Sequence, residues 1–152
     1  RIILDRALRT PLDSTVLADE HRTMILHTEG GYENITALSS RENVEVVCLK
    51  SADSHNGVDL NRVLALLGDR EFQEIMVEGG AETARRFLAA GLIDRAIIIR
   101  TEAEFTTPLT LGIESDHLID KDLAIYREVD WGGDRVQLWS KEKLEWPCPN
   151  WP

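Results

Sequence analysis

The chain has 152 residues and a formal charge of −10, enough length for one domain with a real core. Its acidity argues against nucleic acid or an anionic membrane as the main partner, and no apolar run is long enough to cross a bilayer. A phosphorylated small ligand stays open, because a few local groups outweigh net charge. Cys48 and Cys148 are far apart, and Cys48 sits in an apolar run that predicts a buried thiol. No signal-peptide pattern is visible, and a reducing, cytoplasmic compartment is the simplest expectation.

The chain opens inside a strand, Ile2 to Leu4, which ends in Asp5-Arg6. It opens without a methionine or leader, so either residues precede Arg1 in the intact protein or they have been cut away. "RTPLDS" is a turn. Residues 22–27 read as a second strand. "HTEGGYEN" reads as a surface loop around Glu29, Gly30 and Gly31, and residues 32–42 as a poor helix or a loop. Residues 44–49 predict a third strand, followed by the loop "KSADSHNG". Asp59 can cap a helix whose Leu60, Val63, Leu64 and Leu67 form one apolar face. Ile75, Met76 and Val77 predict a strand buried on both faces.

A helix is predicted over 81–90, with Ala81, Ala84, Phe87 and Leu88 at helical spacing. Arg85 and Arg86 read as its solvated side. Gly91 stops it as a C′ glycine, and 94–100 returns as a strand with Ile97–Ile99 buried. A strand–helix–strand unit defaults to a right-handed parallel crossover. A long irregular connection follows Thr101. Residues 124–129 and 135–140 then read as a hairpin closed by Gly132-Gly133. The sum is an α/β domain over 1–143: a mixed sheet, mostly parallel, with a C-terminal antiparallel hairpin and helices on both faces. Residues 144–152 form a Trp/Pro-rich tail.

The stretch "IMVEGGAETARRFLAAGLIDRAIIIR" carries the chemistry. Gly79 and Gly80 separate a strand end from a helix start. The first amides of a helix have no carbonyl partner, and the dipole favours an anion there. Two residues without Cβ would let a phosphate approach the main chain. The alternative is that the glycines only make a tight turn. Glu78 is either a ligand contact or a carboxylate capping nearby amides.

Together, "RIILDRALRTPLDS", "IMVEGGAETARRFLAAGLIDRAII" and "DWGGDRVQLW" resemble the C-terminal reductase domain of the bifunctional riboflavin-biosynthesis deaminase-reductases. That resemblance implies a dihydrofolate-reductase-like fold and an NADPH-dependent reduction. The ribose of a ribosylamino-pyrimidine phosphate would be opened to a ribityl chain. It places Gly79, Gly80, Ala81 and Thr83 beside the cofactor pyrophosphate and points Glu78 at the substrate sugar. Asp5 and Arg6 fall on the adenosine side, with Arg6 either pairing with the 2′-phosphate or simply solvated. A homodimer is the implied assembly.

The family's "SLDG"-like and "GTVLADDP"-like segments would lie before Arg1, and "RTEAEFTTPLTLG" departs from the usual loop. A catalytically inactive reductase-like module, kept for nucleotide binding or dimerisation, is therefore the second expectation. Other chemistries have less support. Pro147-Cys148-Pro149 lacks the second cysteine of the zinc-deaminase signature. No P-loop or nucleophile-elbow pattern occurs, and the four histidines are too scattered to predict a metal site.

Overall fold

The computed structural model describes residues 1–28, 32–49, 57–102, 113–142 and 144. The chain divides into two compact units, Arg1–Ile75 and Met76–Pro152.

The first unit is built on three parallel strands in the order β1 (Ile2–Leu4), β2 (Thr23–His27), β3 (Val44–Cys48). Every residue of the central strand β2 is buried, as expected for a strand covered on both faces. Side-chain alternation then creates two cores. Ile25 shares one with Ile3, Val46, Leu8, Leu17 and Leu38. Here Leu38 belongs to α1 (Tyr32–Ser39). Met24 and Leu26 share the other with Leu4, Val47, Val63 and Leu67, the last two from α2 (Leu60–Asp69). Each fully buried aliphatic side chain contributes about 1.5–3 kcal/mol. Asp59 caps α2 as the sequence predicts, accepting from the amides of Asn61 and Arg62.

The second unit carries α3 (Ala81–Ala89), β4 (Arg95–Arg100), α4 (Ser115–Ile119), β5 (Leu123–Trp131) and β6 (Asp134–Lys141). Its strands are antiparallel in the order β4-β6-β5. Leu88, Leu118, Leu123 and Trp139 form its buried core. Gly132 and Gly133 turn the β5–β6 hairpin with φ of 64° and 106°, as a two-residue turn with both positions left-handed requires. Helix α3 ends in a Schellman motif. The amide of Leu92 donates to Phe87 O at 3.0 Å and that of Gly91 to Leu88 O at 2.9 Å, with Gly91 at φ 69°.

Four expectations are corrected. Residues 75–77 form no strand: 72–80 carry no regular structure, and Met76 is 71% exposed. An apolar run becomes a strand only against a neighbouring strand, and no described strand pairs with this one. The parallel crossover fails with it, since β4 pairs antiparallel with β6. Ile99 is exposed, because it lies where β4 runs out to the open end of the sheet beside Arg100. Cys48 is exposed rather than buried, at the last position of strand β3. Residues 32–39 are helical, although their polar sequence shows a weak apolar stripe. The expectations for Glu29–Gly31, for 50–56, for 103–112 and for the tail 145–152 lie outside the described residues.

Candidate functional site

The singled-out residues form two groups, one in each unit, and each is described within its own unit. In the second unit the group is the entry to α3. Gly80 is the N-cap residue, extended at φ −61° and ψ 173°, with no side-chain cap on the helix. A Cβ added at Gly80 would meet nothing within 4 Å. The space before the first-turn amides is therefore open, and the backbone imposes no left-handed geometry.

Gly79 differs. A Cβ there would lie 2.5 Å from Thr83 Cβ and 2.6 Å from Thr83 Cγ2. Gly79 thus answers a packing need, and Thr83 folds over it. The two glycines divide the alternatives between them: a tight contact at 79 and an open approach at 80. Gly79→Ala is expected to cost about 1–3 kcal/mol through overpacking. Chemical denaturation of that variant checks this. Adding Thr83→Ala should relieve only part of the loss, since Cβ of residue 83 remains.

Two charges flank this helix start. Glu82 lies in the first turn, where it favours the helix but opposes a second anion. Arg85 folds back along the helix, its Nε donating to Ala81 O at 3.2 Å, which brings a guanidinium beside the same turn. The helical spacing alone places Arg85 on a solvated face. Its i, i+4 relation to Ala81, with side chains tilted toward the N-terminus, was the available signal. Glu78 is exposed immediately before the turn. At the other end of α3, Lys121 Nζ donates to Ala89 O at 3.0 Å. Lys141 Nζ donates to Gly91 O at 3.2 Å and pairs with Asp94 at 2.9 Å. Those cations suit the negative end of the dipole and fix the helix.

In the first unit the group lies at the carboxyl edge of the parallel sheet, where ligands bind in open α/β sheets. Asp5 follows β1 and its amide donates to Leu26 O at 2.9 Å. Burial raises its pKa, but the Thr10 hydroxyl and the amides of Arg9, Thr10 and Ala7 outweigh that and hold it below the ordinary carboxylate value. Thr10 reaches Asp5 Oδ2 twice, through its amide at 2.6 Å and its hydroxyl at 2.7 Å. Asp5 therefore organises the turn that carries Arg6. Arg6 is exposed, and its carbonyl accepts from the Thr28 amide at 3.3 Å. Within the same turn Leu8 is buried at φ 51°, a costly conformation for a branched residue.

His27 was read from the sequence only as the end of a strand. It is 2% exposed, and burial lowers its pKa while the Asp5 carboxylate pulls it partly back. The period-two pattern of β2 already put position 27 on the face of buried Ile25, so the signal was there. His27-Thr28-Glu29 also reads H-x-E, the first half of the zinc-deaminase signature. The cysteine half is missing from the sequence, and no cluster of metal ligands occurs among the described residues.

Comparison with protein families matches residues 1–121 to the RibD C-terminal domain. The chain belongs to that family. RibD C-terminal domains have a dihydrofolate-reductase-like fold and belong to a reductase family of riboflavin biosynthesis. The chain is 30% identical over 128 residues to the riboflavin biosynthesis protein RibD of Aquifex aeolicus (strain VF5), covering 84% of this chain and 34% of that one. It is 31% identical over 97 residues to the RibD protein of Actinobacillus pleuropneumoniae, covering 62% and 25%. The chain thus spans about a third or less of the length of these relatives. Both glycines, Glu78, Asp5 and Arg6 fall inside the residues matched to the RibD C-terminal domain.

Proposed function

We propose that this chain is the reductase part of a protein that reduces a ribosylamino-pyrimidine 5′-phosphate with NADPH, converting ribose to ribityl. The observation that carries the reading is the open N-terminus of α3 at Gly80, within a chain of the RibD C-terminal domain family. NADPH, when bound, supplies the hydride. This chain's own residues bind and orient. The amides of Ala81, Glu82 and Thr83 hold the pyrophosphate, with Arg85 beside them. Thr83 keeps the turn closed over Gly79. Arg6, carried on the Asp5 turn, meets the adenosine end. Glu78 faces the sugar of the substrate.

Substrate-dependent oxidation of NADPH by the intact protein tests this, with product identified by mass. NADPH binding without turnover favours the second reading, a nucleotide-binding module. That reading draws on the exposed, unpaired run at 75–77, which lies next to Glu78. Glu78→Gln separates binding from chemistry. It should leave the NADPH Kd unchanged and lower kcat/KM about fivefold, the size of one weakened hydrogen bond. Equal loss in both would move Glu78 to the cofactor side.

A further inference from the structure

We infer that Arg100 anchors an anion site at the end of the antiparallel sheet, and that the site takes a phosphate monoester. The inference stands apart from the dinucleotide reading, and its observations all lie within the second unit. Arg100 opens the stretch in which this sequence departs from the family's usual loop. It ends β4 and has Arg135 of β6 as its register partner. Two cations directly opposite each other across a sheet are unfavourable. Glu128 of β5 neutralises Arg135 at 2.8 Å. Asp130 is the β5 partner of Arg135, and its Oδ1 accepts from the Gly133 amide at 3.0 Å. Arg100 has only neutral partners among the described residues. Its Nη1 donates to Gln137 Oε1 at 2.7 Å, and its Nη2 lies 3.5 Å from Ser115 Oγ.

Gln137 is the residue that holds the guanidinium. It is 6% exposed on the central strand, where packing alone favours an aliphatic side chain. Both ends of its amide are used. Oε1 accepts from Arg100, and Nε2 donates to Glu128 Oε2 at 2.8 Å. The network crosses three strands and fixes Arg100 without neutralising it. A network that only tied the strands together would set a carboxylate against that cation. The free donors select the ligand. A guanidinium with one nitrogen on Gln137 still offers N–H groups to two oxygens of a tetrahedral anion, and the Ser115 hydroxyl can donate to a third. The Arg135 charge across the ladder favours a doubly charged phosphate over a carboxylate.

The test is a titration of the intact protein with methyl phosphate, with no nucleotide present, so that failure of the reductase reading leaves it untouched. Saturable binding is expected. Arg100→Gln should weaken it about tenfold, the size of one charge-assisted hydrogen bond, at an unchanged melting temperature. Arg100→Lys should recover only part, since it keeps the charge and loses the planar fork. Gln137→Leu should weaken binding as well, because the guanidinium is no longer aimed. Gly80→Val should bind methyl phosphate as the wild type does. Competition then names the source, and either result keeps the site. Displacement by the ribosylamino-pyrimidine 5′-phosphate, and not by its dephosphorylated form, identifies the substrate's own phosphate. No displacement by either identifies a free phosphorylated molecule. Should Arg100→Gln not fold, the guanidinium resonances of Arg100 in the wild type must shift with methyl phosphate, and unmoved resonances overturn the inference. It is also overturned by a wild type that binds no methyl phosphate, by equal affinity in Arg100→Gln, or by a loss confined to Gly80→Val.

Discussion

Phe87→Ala should destabilise the protein by about 3–5 kcal/mol, the usual range for deleting a buried aromatic ring. Phe87 is 4% exposed on α3, beside Leu88 at 4%. Its carbonyl also accepts the Leu92 amide that closes the helix end. The substitution keeps that backbone bond and raises helix propensity, so any loss comes from side-chain packing. Because α3 carries Gly80 at its start, a helix that loosens should also bind cofactor less tightly. Urea unfolding at equilibrium measures the change. A loss under about 1 kcal/mol would be too small for a closely packed ring, and would mean that α3 is not held as described.

Gly80→Val is expected to do the reverse, sparing the fold and blocking the ligand. The native φ of −61° suits any residue, and nothing lies within 4 Å of the added Cβ. The stability loss should stay near or below ~1 kcal/mol, since the site is a helix terminus. The branched side chain would fill the approach to the first-turn amides. NADPH affinity should fall at least tenfold, about 1.4 kcal/mol on the binding scale. Melts and calorimetric titrations of one sample separate the two effects. A collapsed melt with normal binding by the folded fraction would assign Gly80 to the turn alone.

The contrast between neighbouring glycines shows what a sequence conveys. "EGGAETARRF" marks a turn, a helix start and a candidate anion site, because those depend on local backbone chemistry. Which glycine does which job depends on where Thr83 sits, and that needs coordinates. Helix α2 was legible for the same local reason, through Asp59 and the apolar spacing after it. So was the hairpin at Gly132-Gly133.

The misread strand at 75–77 shows the opposite case. Its apolar run signals burial, but a strand is a property of a pair, and no partner strand can be read from three residues. Cys48 and Ile99 repeat that lesson, since their exposure follows from their places at strand ends rather than from their neighbours in sequence. His27 was hidden differently. Its strand is legible in the sequence, but a polar residue closing an apolar run looks like the end of an element rather than part of a buried face.

In the proposed function the helix start at Gly80 seats the cofactor's pyrophosphate. Amide NMR of the intact protein during NADPH titration tests it residue by residue. The amides of Ala81, Glu82 and Thr83 should shift together, with the same saturation as the calorimetric binding curve, and should not shift in Gly80→Val. Saturable NADPH binding that leaves those three amides unmoved would contradict the account.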